Sequence, residues 1–229
     1  SLIGGTVISS GQLSAPGGQV NILAVPGSSL VRLTQPGNLL SLEIIPPSAP
    51  SPLAPAPTLA QLLTGSNLAN ATGVTLNPDG SVRLSGSGLA VQNGDVVATQ
   101  VTAGTATLAA ANNVLVAPVA PAQMATLQTS GDLNLMAGNT VFLRDSASQP
   151  LRVWAGGNLS LRGNQGIDIL ALNFLALPPF AGSSTPIQSG GNTTLISNGQ
   201  ISTDTHFTAG GSFSTRTLTG NIANFLSLY

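Results

Sequence analysis

The stretch Gly156-Gly157-Asn158-Leu159-Ser160-Leu161 contains the pattern that decides the fold of this 229-residue chain: two glycines, a polar residue and a short alternating strand. Related phrases occur at residues 17–22, 130–135, 190–195 and 210–215. Counted from the second residue of each phrase, the last three spacings are 157 − 131 = 26, 191 − 157 = 34 and 211 − 191 = 20. A turn and a strand that recur at such a period are typical of a β-solenoid, in which each coil stacks on the one before.

The repeat assigns roles to two groups of residues. Small residues of the phrase are predicted to form turns, and the alternating apolar residues of the strands are predicted to face inward and stack from coil to coil. The turn glycines are Gly18, Gly131, Gly157, Gly191 and Gly211, and the core ladder is Leu133, Leu135, Leu159, Leu161, Ile167 and Ile169.

Composition narrows the class of protein. Hydrophobic residues make up 42% of the chain but aromatic residues only 3%, so the core must be aliphatic, as narrow coils require. Charged residues make up 6%, with no lysine, which argues against nucleic-acid binding because that needs clustered cations. The chain has no cysteine and no dinucleotide or phosphate-loop motif, so we expect no cofactor and no thiolate metal site. The longest apolar run, residues 167–177, is too short for a membrane span.

The pattern divides the chain into three parts. Residues 1–45 and 126–229 are predicted to be β-helix coils, whereas residues 46–125 are predicted to leave the solenoid. This excursion begins with six prolines in residues 46–57, which cannot donate ladder hydrogen bonds. A short helix at residues 58–63 and a hairpin around Asn77-Pro78-Asp79-Gly80 are predicted to follow, with strands at 74–76 and 82–84.

Longer phrases on both flanks of the chain resemble a known family over whole motifs and not only in single glycines. They include Leu2-Ile3-Gly4-Gly5-Thr6-Val7, Gln35-Pro36-Gly37-Asn38-Leu39-Leu40-Ser41-Leu42, Ala137-Gly138-Asn139-Thr140-Val141-Phe142-Leu143-Arg144 and Gly163-Asn164-Gln165-Gly166-Ile167-Asp168-Ile169. These phrases resemble filamentous haemagglutinin-like proteins of cyanobacterial type. The family's N-terminal secretion motifs are not found, so the chain resembles the shaft of such a protein.

The resemblance implies an all-β fold, a right-handed parallel β-helix with the proline-rich part outside it. It also implies two-partner secretion through an outer-membrane pore to the cell surface or the medium. Members of the family serve as adhesins, toxin carriers or surface fibres. We therefore expect a non-enzymatic structural or adhesive shaft segment, with a cell-surface or carbohydrate ligand as a candidate partner.

A second hypothesis is a filament subunit that associates with itself. The first and last coils of a solenoid have unpaired strand edges, which proteins normally cover with a cap or with charges. Neither end of this sequence shows such a cap. The candidate assembly edges are Leu2, Ile3, Phe225, Leu226, Leu228 and Tyr229.

A third hypothesis is a carbohydrate-active β-helix enzyme, which would need clustered carboxylates. The candidates are Asp132, Asp145 and Asp168, but the acidic residues are spread along the chain. The single histidine, His206, lies near Asp204 and could be offered as a catalytic base, although a surface or turn histidine is the preferred interpretation.

Two further motifs have a simple structural interpretation. Residues 163–169 resemble one copy of the calcium-binding nonapeptide, but that site needs tandem copies, so we interpret them as a glycine turn. Trp154 could stack on a sugar, but we predict that it packs in the core or at a corner. The exposed Ser, Thr, Asn and Gln residues could form hydrogen-bonded ladders or could simply be solvated, and the sequence does not separate these two alternatives.

Overall fold

The computed structural model describes residues 1–26, 31–34, 41–44, 73–76, 82–85, 90–118, 124–145, 149–171 and 185–227. Within these ranges every regular element is a strand, which confirms the predicted all-β class. The proline-rich residues 46–57, the helix predicted at 58–63, the turn at 77–80, Leu228 and Tyr229 lie outside the described residues. In the described part of the chain, no helix has the length and apolarity needed to cross a membrane.

A 16-stranded sheet built from parallel pairs dominates the structure, and it consists of three ladders, A, B and C. Ladder A contains residues 12–15 of β2 (Val7–Ala24), residues 100–103 of β8 (Val96–Ala110), β10 (Ala125–Thr129), β13 (Leu151–Ala155), β16 (Ile187–Ser189) and β19 (Phe207–Ala209). Ladder B contains β1 (Leu2–Gly4), residues 19–24 of β2, residues 105–110 of β8, β11 (Leu133–Ala137), β14 (Leu159–Gly163), β17 (Thr193–Ile196) and β20 (Phe213–Arg216). Ladder C contains residues 7–9 of β2, residues 96–98 of β8, β9 (Val114–Val116), β12 (Thr140–Arg144), β15 (Gly166–Leu170), β18 (Gln200–Thr203) and β21 (Asn224–Ser227).

The chain visits the three ladders in a constant order, C, then A, then B, and each visit pairs with the previous visit to the same ladder. On ladder B, Leu133 pairs with Leu159, Leu159 with Thr193, and Thr193 with Phe213. These register offsets are 159 − 133 = 26, 193 − 159 = 34 and 213 − 193 = 20, the spacings of the repeated phrase. A curled sheet of parallel, in-register strands is consistent with a β-helix or solenoid.

Two small antiparallel sheets lie between Ala24 and Val96 in the sequence. One pairs β3 (Val31–Thr34) with β4 (Ser41–Ile44), and the other contains β5 (Gly73–Leu76), β6 (Val82–Ser85) and β7 (Ala90–Val91). Val74 pairs with Leu84 and Leu76 with Val82, so the two strands of the predicted hairpin are confirmed.

The structure differs from the predicted domain boundaries at both ends of the excursion. Residues 31–44 were assigned to coils within 1–45, but β3 and β4 pair only with each other among the described strands. Residues 96–116 were assigned to the excursion 46–125, but β8 and β9 belong to the large sheet. The reason is that hairpin strands and coil strands share the same period-two alternation, so the pattern does not reveal the partner.

The core lies between the three ladders and is made of stacked aliphatic side chains. On ladder B, one inner row runs through Ile22, Leu108, Leu135, Leu161 and Leu195, each 0% exposed. Each such side chain contributes about 1.5–3 kcal/mol when fully buried. The other residues assigned to the core ladder from the sequence are also buried: Leu133, Leu159, Ile167 and Ile169.

The corner between ladders A and B has three residues in each of the last four coils: 130–132, 156–158, 190–192 and 210–212. A side chain on Gly156, Gly190 or Gly210 would collide with the backbone carbonyl oxygen of the same corner in the preceding coil. A Cβ on Gly191 would lie 2.7 Å from the Asn158 Oδ1 atom. Backbone therefore lies directly on backbone at this corner, and the repeated glycines are required by that contact.

The other two corners absorb the variation in coil length. Between ladders C and A, residues 204–206 connect β18 to β19, whereas residues 171–186 connect β15 to β16. This difference accounts for the coils of 20 and 34 residues. The corner between ladders B and C holds the excursion, which in the structure comprises residues 25–95, because the chain leaves ladder B after Ala24 and enters ladder C at Val96.

We predict that Gly190→Ala destabilises the fold by about 3 kcal/mol, because its methyl group would overlap a backbone carbonyl that no rotamer change can move. The matched control is Gly11→Ala, since a Cβ at Gly11 meets nothing within 4 Å. The control should stay within about 1 kcal/mol of the wild type. Urea denaturation followed by circular dichroism measures both values, and equal stability of the two variants would contradict the close corner contact.

Candidate functional site

A polar ladder runs along the corner between A and B and joins successive coils. The Asp132 Oδ1 atom accepts hydrogen bonds from the Asn158 backbone N–H at 2.7 Å and from Asn158 Nδ2 at 3.2 Å. The Asn158 Oδ1 atom accepts from the Asn192 N–H at 3.0 Å, and the Asn192 Oδ1 atom accepts from the Ser212 N–H at 2.9 Å. Each side chain thus accepts a hydrogen bond from the backbone of the next coil. Of the two alternatives for the polar residues, hydrogen-bonded ladders or simple solvation, this corner therefore shows the ladder.

The predicted turn glycines lie along this same corner. Gly131, Gly157, Gly191 and Gly211 each place their N–H on the backbone carbonyl of the preceding corner glycine, at 2.7–3.0 Å. That series starts from Gly104, a glycine that lies outside the repeated phrase. Gly18 lies at the first-coil end of the corner, where its carbonyl oxygen would be 2.7 Å from a Cβ on Gly104.

Asp95 closes the excursion where the chain returns to the large sheet. Its carboxylate accepts hydrogen bonds from the backbone N–H of Gln92 at 2.7 Å, from Asn112 Nδ2 at 2.8 Å and from the backbone N–H of Asn113 at 2.9 Å. Burial raises the pKa of Asp95 above its usual value, although these hydrogen bonds lower it in part. The carboxylate therefore fastens the end of the excursion to the next corner of the coil.

A small second hydrophobic cluster packs the end of the excursion against the outer side of ladder C. Val91 and Val97 are both 0% exposed and pack together with Ile8 and Leu115. Val97, Ile8 and Leu115 are paired positions on the outer side of ladder C. The excursion therefore ends on one defined face of the coil stack.

The last described coil carries an aromatic residue on the inner row of each ladder: Phe207 on A, Phe213 on B and Phe225 on C. The rings of Phe207 and Phe213 are 5.1 Å apart between centroids, and those of Phe213 and Phe225 are 6.3 Å apart. Phe213 is 42% exposed, and a depression of about 280 Å³ opens among the three rings. We call Phe207, Phe213 and Phe225 the phenylalanine end.

The sequence pattern did not single out Phe207 and Phe213 as part of this end. The corresponding rows hold Ile187, Thr193 and Ile201 in the coil before, so the change from aliphatic or small side chains to rings occurs in one step. Three of only six phenylalanines fall within residues 207–225, but only the register of the ladders shows that all three occupy inward positions.

The predicted assembly edges lie at opposite ends of the ladders. Leu2 and Ile3 lie on β1, whose only described partner is β2, and Leu2 is 40% exposed. Phe225 and Leu226 lie on β21, whose only described partner is β18. The two sets are therefore not brought together within one chain.

Trp154 lies on the outer side of ladder A and is 37% exposed, so the prediction that it packs in the core or a corner was wrong. Its neighbours Val153 and Ala155 are buried, and strand alternation therefore turns the indole outward. The residues paired with it on the adjacent rungs are Gln128 and Gln188.

The three acidic residues considered for an enzyme lie at three separate positions. Asp132 is in the polar ladder at the corner between A and B, and Asp145 follows β12. Asp168 is on β15, where its carboxylate forms an ion pair with Arg144. The Arg144 guanidinium also lies 5.3 Å from the centroid of the Phe142 ring. These positions form no carboxylate pair of the kind that glycoside hydrolysis uses.

Asp204 and His206 occupy different environments in the turn between β18 and β19. Asp204 is 3% exposed, and its Oδ1 atom accepts a hydrogen bond from the Ala171 N–H at 2.8 Å, whereas His206 is exposed. Within the described ranges, no group of three or more His, Cys, Asp or Glu residues could hold a metal ion. The candidate nonapeptide at 163–169 instead contributes Asp168 to the ion pair with Arg144.

We predict that Asn158→Ala lowers the free energy of unfolding by about 1–2 kcal/mol, because the Asn192 N–H loses its acceptor and Asp132 loses a donor. Ser160→Ala, two residues away on the outer side of β14, is the control and should change stability by less than about 0.5 kcal/mol. Chemical denaturation measures both, and an Asn158→Ala protein as stable as the control would show that the polar ladder is not stabilising.

We predict a pH-dependent difference in stability between the wild type and Asp95→Asn. The folded pKa of Asp95 is raised, so between the unfolded and folded values the native state binds more protons. The contribution of Asp95 to the free energy of unfolding is therefore greatest below its unfolded pKa, and it falls as the pH rises through its folded pKa. Denaturation midpoints from pH 3 to 7 should show the wild type losing stability relative to the variant, and a relative gain would contradict the assignment.

Comparison with known proteins gives no relative from which a function could be transferred. No protein-family model matches the chain, and no curated protein or solved structure matches it either. The resemblance to filamentous haemagglutinin-like proteins therefore remains a prediction from the quoted phrases.

Proposed function

We propose that this chain is a right-handed parallel β-helix that serves as a non-enzymatic shaft segment of an extracellular adhesin or surface fibre. The observation that carries the proposal is the in-register pairing of successive coils on all three ladders. Such pairing stacks successive coils along one axis, so the chain gains length without gaining width. The right hand is supported by the general rule that crossovers between parallel strands of one sheet are right-handed.

The interior supports a mechanical role. Its stacked aliphatic rows and its polar corner ladder both join one coil to the next. A load along the axis is therefore transmitted from each coil to its neighbour. The described residues bring no two of the three candidate acids together. A shaft needs only stiffness and a surface, and both follow from these contacts.

The extracellular setting and the secretion pore are parts of the proposal that the resemblance supports. The lack of cysteine agrees with a chain that crosses a membrane unfolded and folds outside without disulfides. Recognition is assigned to the excursion, since loops held on a rigid scaffold commonly carry binding residues. Its end is fastened by Asp95 and Val91, which gives it a fixed base on ladder C.

The adhesive part is tested by deleting residues 46–57 from the purified chain. We expect binding of the bead-coupled protein to cells to fall several-fold, while the β circular dichroism and thermal midpoint stay unchanged. The control is the Ser160→Ala protein on the same beads. Cell binding equal to that of the control would remove the excursion from recognition, and loss of the β signal would show that the excursion is part of the fold.

A second candidate function is a filament subunit in which a second copy stacks on the phenylalanine end. The observation that favours it is the exposure of Phe213 and Phe225 beside edges of β19, β20 and β21 that pair with no other described strand, with Leu2 exposed at the opposite end. An end-to-end contact of unlike surfaces extends indefinitely when it does not close.

Electron microscopy over a concentration series separates the two functions. Filament assembly predicts long fibres for the wild type, with at least ten-fold fewer for a Phe213→Ser, Phe225→Ser double variant. Leu170→Ser is the control, because Leu170 is similarly exposed, at 39%, but lies away from the end. Single short rods at all concentrations would support the shaft and exclude the filament, and globular particles would contradict both.

A further inference from the structure

The row that contains Trp154 crosses the coils on the outer side of ladder A. Strand register places six residues on it: Ser14, Thr102, Gln128, Trp154, Gln188 and Thr208. All of them except the tryptophan are uncharged polar residues, and consecutive members are about 4.8 Å apart. The described outer residues of ladder A include one charge, Arg152, in the neighbouring row. The row is thus a straight neutral strip with one aromatic ring near its middle.

Side-chain hydrogen bonds hold one end of this strip in place. The Gln188 Nε2 atom donates to the Thr185 carbonyl oxygen at 2.7 Å, and the Thr208 hydroxyl donates to the Thr185 hydroxyl at 2.9 Å. These bonds reduce the conformational freedom of both side chains before any ligand arrives. A pre-ordered polar surface binds with a smaller entropy cost than a flexible one.

The corner beside Trp154 leaves the ring accessible. Trp154 lies two residues before Gly156, where the corner to ladder B has only three residues and its backbone lies on the coil below. That corner has no room for a loop that could fold over the indole. By contrast, the outer side of ladder C is covered by Val91 in the first coils.

We propose that this strip binds a linear neutral glycan, with Trp154 as its stacking platform. The indole offers a flat apolar face for the C–H side of a sugar ring. Glutamine amides and threonine hydroxyls both donate and accept hydrogen bonds, as sugar hydroxyls do, so they match the ligand without charge. The strip crosses several coils in a straight line, which fits an oligosaccharide rather than a single sugar.

The binding strip adds a ligand to the proposed shaft, and it rests on the proposed function because the shaft must be exposed at a surface. The two can fail separately. A chain that forms rods and binds no glycan would overturn only the binding strip, whereas globular particles would overturn the shaft.

The experiment uses the intrinsic fluorescence of Trp154, which is the only tryptophan in the chain. The full chain is titrated with cellohexaose and xylohexaose as neutral probes and with hexagalacturonate as an acidic one. We expect a saturable change in emission and reduced quenching by acrylamide with at least one neutral probe, and none with the acidic probe. No saturable change with either neutral probe, or a change with the acidic probe alone, would overturn the proposal.

Variants show whether the ring itself provides the affinity. Calorimetry should give at least a ten-fold weaker Kd for Trp154→Ala and a smaller loss for Trp154→Phe, which keeps an aromatic face. Met136→Ala is the matched control, since Met136 is 39% exposed on ladder B, and its Kd should be unchanged. Circular dichroism checks that each variant is folded. Equal Kd values for folded Trp154→Ala and the wild type would overturn the proposal.

Discussion

Every coil of this structure depends on the contact between the backbones of successive corners joining ladders A and B. At this corner the carbonyl oxygen of one coil occupies the place where a side chain of the next would lie, as at Gly190 above Gly156. The contact sets the distance between coils to that of hydrogen-bonded strands. Once that distance is set, the Asn158 Oδ1 atom accepts a hydrogen bond from the Asn192 N–H, and the aliphatic rows meet in register. The spacing set at this corner thus determines both the hydrogen bonds of the turns and the packing of the aliphatic rows.

One corner keeps three residues in each of the last four coils, and the other two corners carry most of the variation in coil length. The corner between C and A ranges from the single residue Thr99 to the long connection 171–186, without disturbing the register of β16 on β13. The corner between B and C accepts the entire excursion, which Asp95 and Val91 fasten on its return. A scaffold of this type lets surface segments change while the stacked ladders stay the same, which is the property that the proposed shaft uses.

The repeated phrase was sufficient to predict the all-β class, the coil spacings of 26, 34 and 20, and the inward leucines, because turn glycines and strand alternation are local signals. Strand partners were not predictable for residues 31–44, since hairpin strands alternate in the same way. Trp154 was misplaced, although its alternation with the buried Leu151, Val153 and Ala155 indicates an outward position. The inward parity of Phe207, Phe213 and Phe225 likewise needed the register of all three ladders.

The most direct test of the account is the distance between two residues of one outer row in different coils. The chain has no cysteine, so Thr102→Cys and Thr208→Cys together give one labelled pair for double electron–electron resonance. Register places Gln128, Trp154 and Gln188 between them, which makes four steps of about 4.8 Å, or about 19 Å in total. A narrow distribution near that distance is the predicted result. A broad distribution, or one centred well beyond it, would contradict the stacked coils.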